Sequence, residues 1–159
     1  MTSLKILPSR LNNLSSHEAI IDAIYRTVVG LDTNDQALFQ SSFIQDAVFD
    51  LNGTIMTGLD AIDAEVYTSI SKLDTTHFIT NFRVQQAEGA ATASVTAHAL
   101  AQHYRGGTGL KGDAPRLLAG SLYQVDVVRD EKEDLWKVKN WKMQTIWAEG
   151  DWTILTGGK

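Results

Sequence analysis

Asp32, His77 and His98 are the residues in this chain whose types point to chemistry. An aspartate can orient an imidazole, fixing its tautomer and strengthening it as a base. Two histidines facing one substrate can divide the work of acid and base. One would take a proton α to a carbonyl and the other would protonate a departing hydroxyl; with no leaving group the result is a double-bond shift. Each residue also has a plainer reading. Asp32 lies in Leu31-Asp32-Thr33-Asn34-Asp35, where helix capping alone explains an acidic side chain. A lone histidine in a strand is more often a hydrogen-bonded core or rim residue than a catalyst.

Composition narrows the partners. The chain has 159 residues, 43% hydrophobic and 21% charged, which is ordinary for one globular domain. A net charge of −5 without a Lys/Arg cluster argues against nucleic acid. With no cysteine, disulfides, thiolate metal sites and a cysteine nucleophile are excluded. No apolar run approaches the roughly 18 residues of a membrane span, and the N-terminus lacks a signal-peptide core. We therefore expect a soluble, cytoplasmic protein that acts on a small molecule, with no nucleic acid and no membrane as partner. His77 and His98 lack the close pairing typical of ligands on one element, so no metal is expected, and the chemistry needs no cofactor.

Around these residues the chain divides into helices, then strands. Residues 1–14 read as an arm, interrupted by Pro8 and Asn12-Asn13. Ser15 to Glu18 has the spacing of a capping box. Ile20, Ala23, Ile24, Thr27, Val28 and Leu31 then recur at helical period, with Gly30 weakening the last turn. A second short helix is expected over about 35–43, and a strand around Ala47–Leu51. Asn52-Gly53 is a strong hairpin signal. A third helix is expected from Asp60 through Leu73, and long strands over about 77–84, 91–104, 117–128 and 135–146, in an antiparallel meander. In the strand from Ala91, the small residues Ala93 to Ala101 alternate with Ser94, Thr96, His98, Leu100, Gln102 and Tyr104. We read the second set as a pocket wall and the alanine face as suited to close packing. By that assignment His103 falls on the face away from His98 and is set aside, as is His17 in the first turn of a helix. Tyr25 and Tyr104 can each supply a phenol to the pocket. Trp136, Trp141, Trp147 and Trp152 are read as core and interface.

Taken together, the Asp32 turn, Phe49-Asp50-Leu51-Asn52-Gly53, Thr76-His77-Phe78-Ile79, His98-Ala99-Leu100 and Trp136-Lys137-Val138 through Ile146-Trp147 resemble the SnoaL-like branch of the nuclear transport factor 2-like superfamily. Within it the chain resembles the scytalone dehydratases, from about residue 15 to 155. The resemblance implies an α+β fold, a cone-shaped, curved, mostly antiparallel sheet with N-terminal helices enclosing a pocket. It implies a single domain over 15–155, with an arm at 1–14 and a tail at 156–159. It pairs Asp32 with His98 and makes His77 the second proton carrier, and it places Asp126 where the family has a polar residue. The family's carbonyl-polarising tyrosines are not matched, since Leu31 and the Phe49–Asn52 strand lack them. A homodimer or homotrimer built on the outer sheet face is also implied.

The expected activity is that of a cofactor-free lyase or isomerase, dehydratase-like, acting on a small cyclic oxygenated natural product such as a polyketide. A polyketide cyclase or epoxide-opening enzyme is the alternative within the fold. A non-catalytic binding or assembly module is the alternative outside enzymology. That last reading predicts a shallow or filled pocket and Asp32 separated from His98.

Overall fold

The computed structural model describes residues 4–157. Helix α1 (Ser16–Asp32) starts where the sequence places it. Ser15 Oγ accepts from Glu18 N at 3.2 Å, and Glu18 Oε2 accepts from Ser15 N at 2.7 Å. Its apolar face, including Ile20, Ala23, Ile24 and Leu31, is buried against the sheet. A short helix α2 (Gln36–Gln40) follows, capped by Asp35, whose Oδ1 accepts from Leu38 N at 2.9 Å. Asp32 is thus the last residue of α1 rather than the cap of α2. Gly30 is needed at this corner: a Cβ there would lie 2.6 Å from Phe39 N.

Strand β1 (Phe43–Leu51) and β2 (Thr54–Thr57) form the expected hairpin, with positive φ at both Asn52 and Gly53. The single helix expected from Asp60 is broken. It consists of α3 (Leu59–Ile62), a π-helical turn (Asp63–Tyr67) and α4 (Thr68–Ile70). The wider turn lets Val66 and Tyr67 both reach the core, and Tyr67 donates to Asn34 Oδ1 at 2.8 Å. Such turns recur at functional sites.

Four long strands complete the chain: β3 (Asp74–Gln85), β4 (Thr92–Tyr104), β5 (Arg116–Asp130) and β6 (Leu135–Gly150), followed by a one-turn helix α5 (Thr153–Thr156). They form the expected antiparallel meander, and β6 then returns to pair with β1 in parallel, giving the order β2-β1-β6-β5-β4-β3. One face is covered by α1 and the segments before β3, and on the other Phe78, Leu122, Ile146 and Trp147 are exposed. The α+β expectation holds in this form.

Two irregularities decide which side chains point inward. On β3 the register shifts between Thr80 and Arg83, where Asn81 has φ 56°, so the inward set changes from Thr75, His77 and Ile79 to Phe82 and Val84. On β6 a shift opposite Gly120–Ser121 leaves Thr145 facing inward while Trp147 lies outside, against Gly120. Bulges re-aim side chains in this way at sheet edges and beside sites. The arm is tied down by Arg10, which pairs with Asp134 at 2.7 Å.

Candidate functional site

The concave face of the sheet encloses a cavity of about 320 Å³, a size suited to a small organic molecule. Its floor is built from the alanine face of β4. Ala99, Ala101 and His103 line it with Ala119, Ser121 and Tyr123 from β5. Trp141, Met143 and Thr145 of β6 form one side, and α1 contributes Thr27, Val28 and Leu31. Trp152, Leu155 and Thr156 stand at the C-terminal end, so this segment does reach the cavity. Arg105 fastens it, donating to Thr153 Oγ1 at 2.6 Å and pairing with Asp151 at 3.3 Å.

The small face of β4 is therefore a cavity wall, which corrects the reading of the sequence. Alternation separates the two faces correctly, but the pocket lies on the one expected to pack closely. Methyl groups leave the space a ligand needs. The polar set on the even-numbered positions faces solvent.

Asp32 and His77 meet. His77 Nδ1 donates to Asp32 Oδ1 at 2.6 Å, and the His77 backbone N–H donates to Asp32 Oδ2 at 2.8 Å. Both carboxylate oxygens thus hold one residue, fixing ring and backbone together. The arrangement places the proton on Nδ1 and leaves Nε2 as the basic nitrogen. Asp32 lies behind His77 and does not line the cavity, where His77 does.

His98 is not Asp32's partner. It is exposed on the outer face, its Nδ1 3.4 Å from Asn81 Nδ2, in a groove with Arg83, Gln124 and Lys142. The inward histidine of β4 is His103, which the sequence pattern sets aside. It is 4% exposed, and its ring meets that of His77 edge to face with centroids 5.4 Å apart. Thr75, directly opposite on β3, is hydrogen-bonded to His103 Nδ1 at 2.7 Å. Burial, helped by any charge on His77 and opposed by Asp32, pushes the His103 pKa down to about 4, so the ring is neutral at physiological pH.

The three expected pocket residues also lie elsewhere. Tyr25 is on the outward side of α1, packed edge-on against Phe82 at 5.4 Å. Tyr104 is on the outer face, accepting from Gln102 Nε2 at 2.5 Å. Asp126 is outside too, accepting from Ser94 Oγ at 2.7 Å. The inward polar residues of β5 are Ser121 and Tyr123. Burial, and secondly the Asp32 carboxylate, push the Tyr123 phenol well above its ordinary range, so it remains a donor. Two signals could have found His103, Ser121 and Tyr123: they share a face with the alanines, and β5 repeats the same alternation. Among the lining residues none is Lys, Arg, Asp or Glu, and among the described residues no three metal-ligating side chains cluster.

Comparison with known proteins places these features. The SnoaL-like domain family matches residues 12–142. The chain is 50% identical over 141 residues to the terrestric acid biosynthesis cluster protein E of Penicillium crustosum, covering 89% of this chain and 90% of that one. Among solved structures, a scytalone dehydratase-like protein of Novosphingobium aromaticivorans superposes with a TM-score of 0.71 at 22% identity, covering 85% of this chain and 87% of that one. A hexachlorocyclohexane dehydrochlorinase gives the same TM-score at 17% identity, covering 86% and 88%. At these identities the two structures establish the fold.

Proposed function

Starting from a chain that belongs to the SnoaL-like domain family of the nuclear transport factor 2-like superfamily, we propose that it is a cofactor-free lyase or isomerase of secondary metabolism. The observation that carries this reading is the imidazole of His77, which lines an apolar cavity with Nδ1 held by Asp32. The relative from a terrestric acid cluster supports a natural-product substrate. The cavity offers no cation to a carboxylate or phosphate, so the substrate is a small, neutral, cyclic oxygenated compound.

In this reading one histidine rather than two carries the proton transfers, which the Asp32–His77 pair beside the cavity supports. His77 Nε2 removes a proton α to a carbonyl, and the C–H electron pair becomes the π bond of an enolate. Asp32 compensates the imidazolium that results. When the carbonyl re-forms, the β-hydroxyl departs and takes its proton from His77, releasing water and a conjugated product. If no hydroxyl stands β to the carbonyl, return of the proton to a different carbon shifts the double bond. His103, neutral in the fold, serves as a hydrogen-bonding group. With Thr75 donating to its Nδ1, its Nε2–H is the donor.

The binding-module alternative predicts that Asp32 and His98 are apart, and they are. It also predicts a filled or shallow pocket. The cavity is open, and the carboxylate holds a different imidazole, so we keep the catalytic reading. Cyclisation and epoxide opening use the same base and are distinguished by product. The test is incubation in D2O with neutral cyclic β-hydroxyketones, followed by NMR and mass spectrometry. Enzyme-dependent deuteration at the α carbon, with or without loss of water, is expected. If no compound of this class exchanges faster with the protein than with an Asp32→Asn variant, the proposal fails.

We also propose self-association, as a homodimer or homotrimer, through the outer sheet face. Phe78, Leu100, Gly120 and Trp147 lie in one row across four strands, with Leu122 and Ile146 beside it, and the five side chains are all exposed. A contiguous apolar patch of this kind favours cover by a protein surface. Lys142 lies toward one side of the row and Glu149 toward the other. A second copy with its strands reversed would set each against its opposite. Sedimentation should give an oligomer that Trp147→Lys dissociates; a monomeric wild type would rule this out.

A further inference from the structure

Asp32 holds His77, but no third side chain holds Asp32. Among the described residues its two carboxylate oxygens accept only from His77. The place of that carboxylate is therefore set by the backbone turn that carries it. The turn closes α1 with two reversed bonds: Asn34 N–H donates to Leu31 O at 3.4 Å, and Asp35 N–H donates to Gly30 O at 2.9 Å. Between them Asn34 takes φ 54°. Glycine is the usual residue at such a left-handed helix end, because a Cβ is disfavoured there. Asparagine brings an acceptor instead, and Asn34 Oδ1 receives the Tyr67 hydroxyl at 2.8 Å.

Tyr67 ends the π-helical turn, and that turn grips the corner between α1 and α2 from both sides. On the α2 side, Asp63 accepts from Gln36 Nε2 at 2.8 Å and from Gln40 Nε2 at 3.1 Å. The buried Tyr67 ring packs on Phe39 of α2 with centroids 5.2 Å apart. Its hydroxyl serves the other side, two residues from Asp32. Val66, the neighbour of Tyr67 in the same turn, lines the cavity. The segment that restrains the Asp32 turn is thus also a wall of the substrate space.

We propose that Tyr67 is a positioning residue, which through Asn34 holds the end of α1 where the Asp32 carboxylate meets the His77 imidazole. This deepens the acid–base reading and rests on His77 being the base. A base works only in a narrow range of positions, and small displacements from remote changes slow the chemistry. Here the chain of contacts runs from the Tyr67 hydroxyl to Asn34, along two residues of backbone to Asp32, and across to His77 Nδ1.

The direct readout is the His77 Nδ1 proton in ligand-free protein. Its bond to Asp32 at 2.6 Å is short and charge-assisted, which gives a far-downfield NMR signal. Loss of that signal in His77→Gln identifies it. Tyr67→Phe keeps the ring on Phe39 and removes the donor; the signal should move upfield and exchange faster with water. Asn34→Gly combined with Tyr67→Phe removes donor and acceptor together and supplies the residue that adopts positive φ freely. That double variant should melt near the wild-type temperature and still show the displaced signal. With 1-tetralone as probe, deuteration at C2 in D2O should slow by roughly ten- to a hundredfold in both variants, in kcat rather than in KM. A His77 signal unchanged in both folded variants would overturn the proposal and leave Tyr67 a packing residue. Loss of the fold in both would overturn it too, as would a displaced signal with an undiminished exchange rate. A displaced signal in a protein whose wild type deuterates no ketone would uphold the tie to Asp32 and defeat the acid–base reading.

Discussion

His98 and His103 lie five residues apart on the same strand and have opposite fates. His103 is buried beside His77, hydrogen-bonded to Thr75 and held neutral by desolvation. His98 stands on the outer face among Asn81, Arg83 and Lys142. Their odd separation, on a strand in unbroken register with β5, puts them on opposite sides of the pleated sheet. The residue type is the same, so the difference lies wholly in which face the protein hollowed out. Apart from Val95, the inner face of β4 is alanine up to His103, and a strand of small side chains under a helix leaves a void. The outer face carries longer groups that fill or meet solvent.

That contrast can be broken or sharpened by substitution. The largest effect is expected behind the inner site. Asp32→Asn removes the group that holds His77 in its tautomer, and Asp32 supplies both acceptors of that residue. Turnover should fall by roughly a thousandfold, the scale of losing a positioned base, with the fold retained by circular dichroism. A rate within a factor of ten would separate Asp32 from the chemistry.

His103 should next reveal itself in stability. Its pKa is about 4 in the fold against 6.5 for a free imidazole. Between those values the unfolded chain binds a proton that the folded chain does not, so stability falls as pH drops from 6.5 toward 4 and the loss levels off below 4. The full effect is about 3 kcal/mol. Urea denaturation at stepped pH should show this slope, and His103→Gln should flatten it. An unchanged slope in the variant would place the titration elsewhere.

Filling the void tests the alanine floor. Ala99→Leu adds bulk where Ala99 lines the cavity. KM should rise by about ten- to thirtyfold, since one or two misplaced methylenes are worth roughly 1–3 kcal/mol in a pocket. The expected stability change is smaller than for a packed core, because open space receives the side chain. Full retention of KM would mean that substrate does not lie against β4. The smallest effect belongs to His98→Gln. Turnover should stay within about twofold and stability within about 0.5 kcal/mol, the ordinary range for a surface change. A hundredfold loss of activity would return His98 to the site.

Much of this is legible in the sequence because it is local. The capping box of α1, the Asn52-Gly53 turn and the alternation along β4 each depend on a few neighbouring residues, and all three stand in the fold. The single helix expected after Asp60 fails because a π-helical turn carries no strong sequence mark. It answers to packing, where Val66 and Tyr67 both reach the core. Likewise the re-aiming of β3 at Asn81 and of β6 before Trp147 depends on register with the next strand.

The sequence by itself determined that Asp32 and His77 were worth singling out, that β4 has two unlike faces, and that the chain is an α+β roll. Only the tertiary structure decided that Asp32 holds His77, that His103 stands beside it, and that Tyr67 bonds Asn34 in the turn after Asp32. Period-two alternation says which side chains share a face but carries no sign. Inside and outside are defined by where α1 lies, and that is settled by the burial of Ile20, Ile24 and Leu31 against the concave side of the sheet.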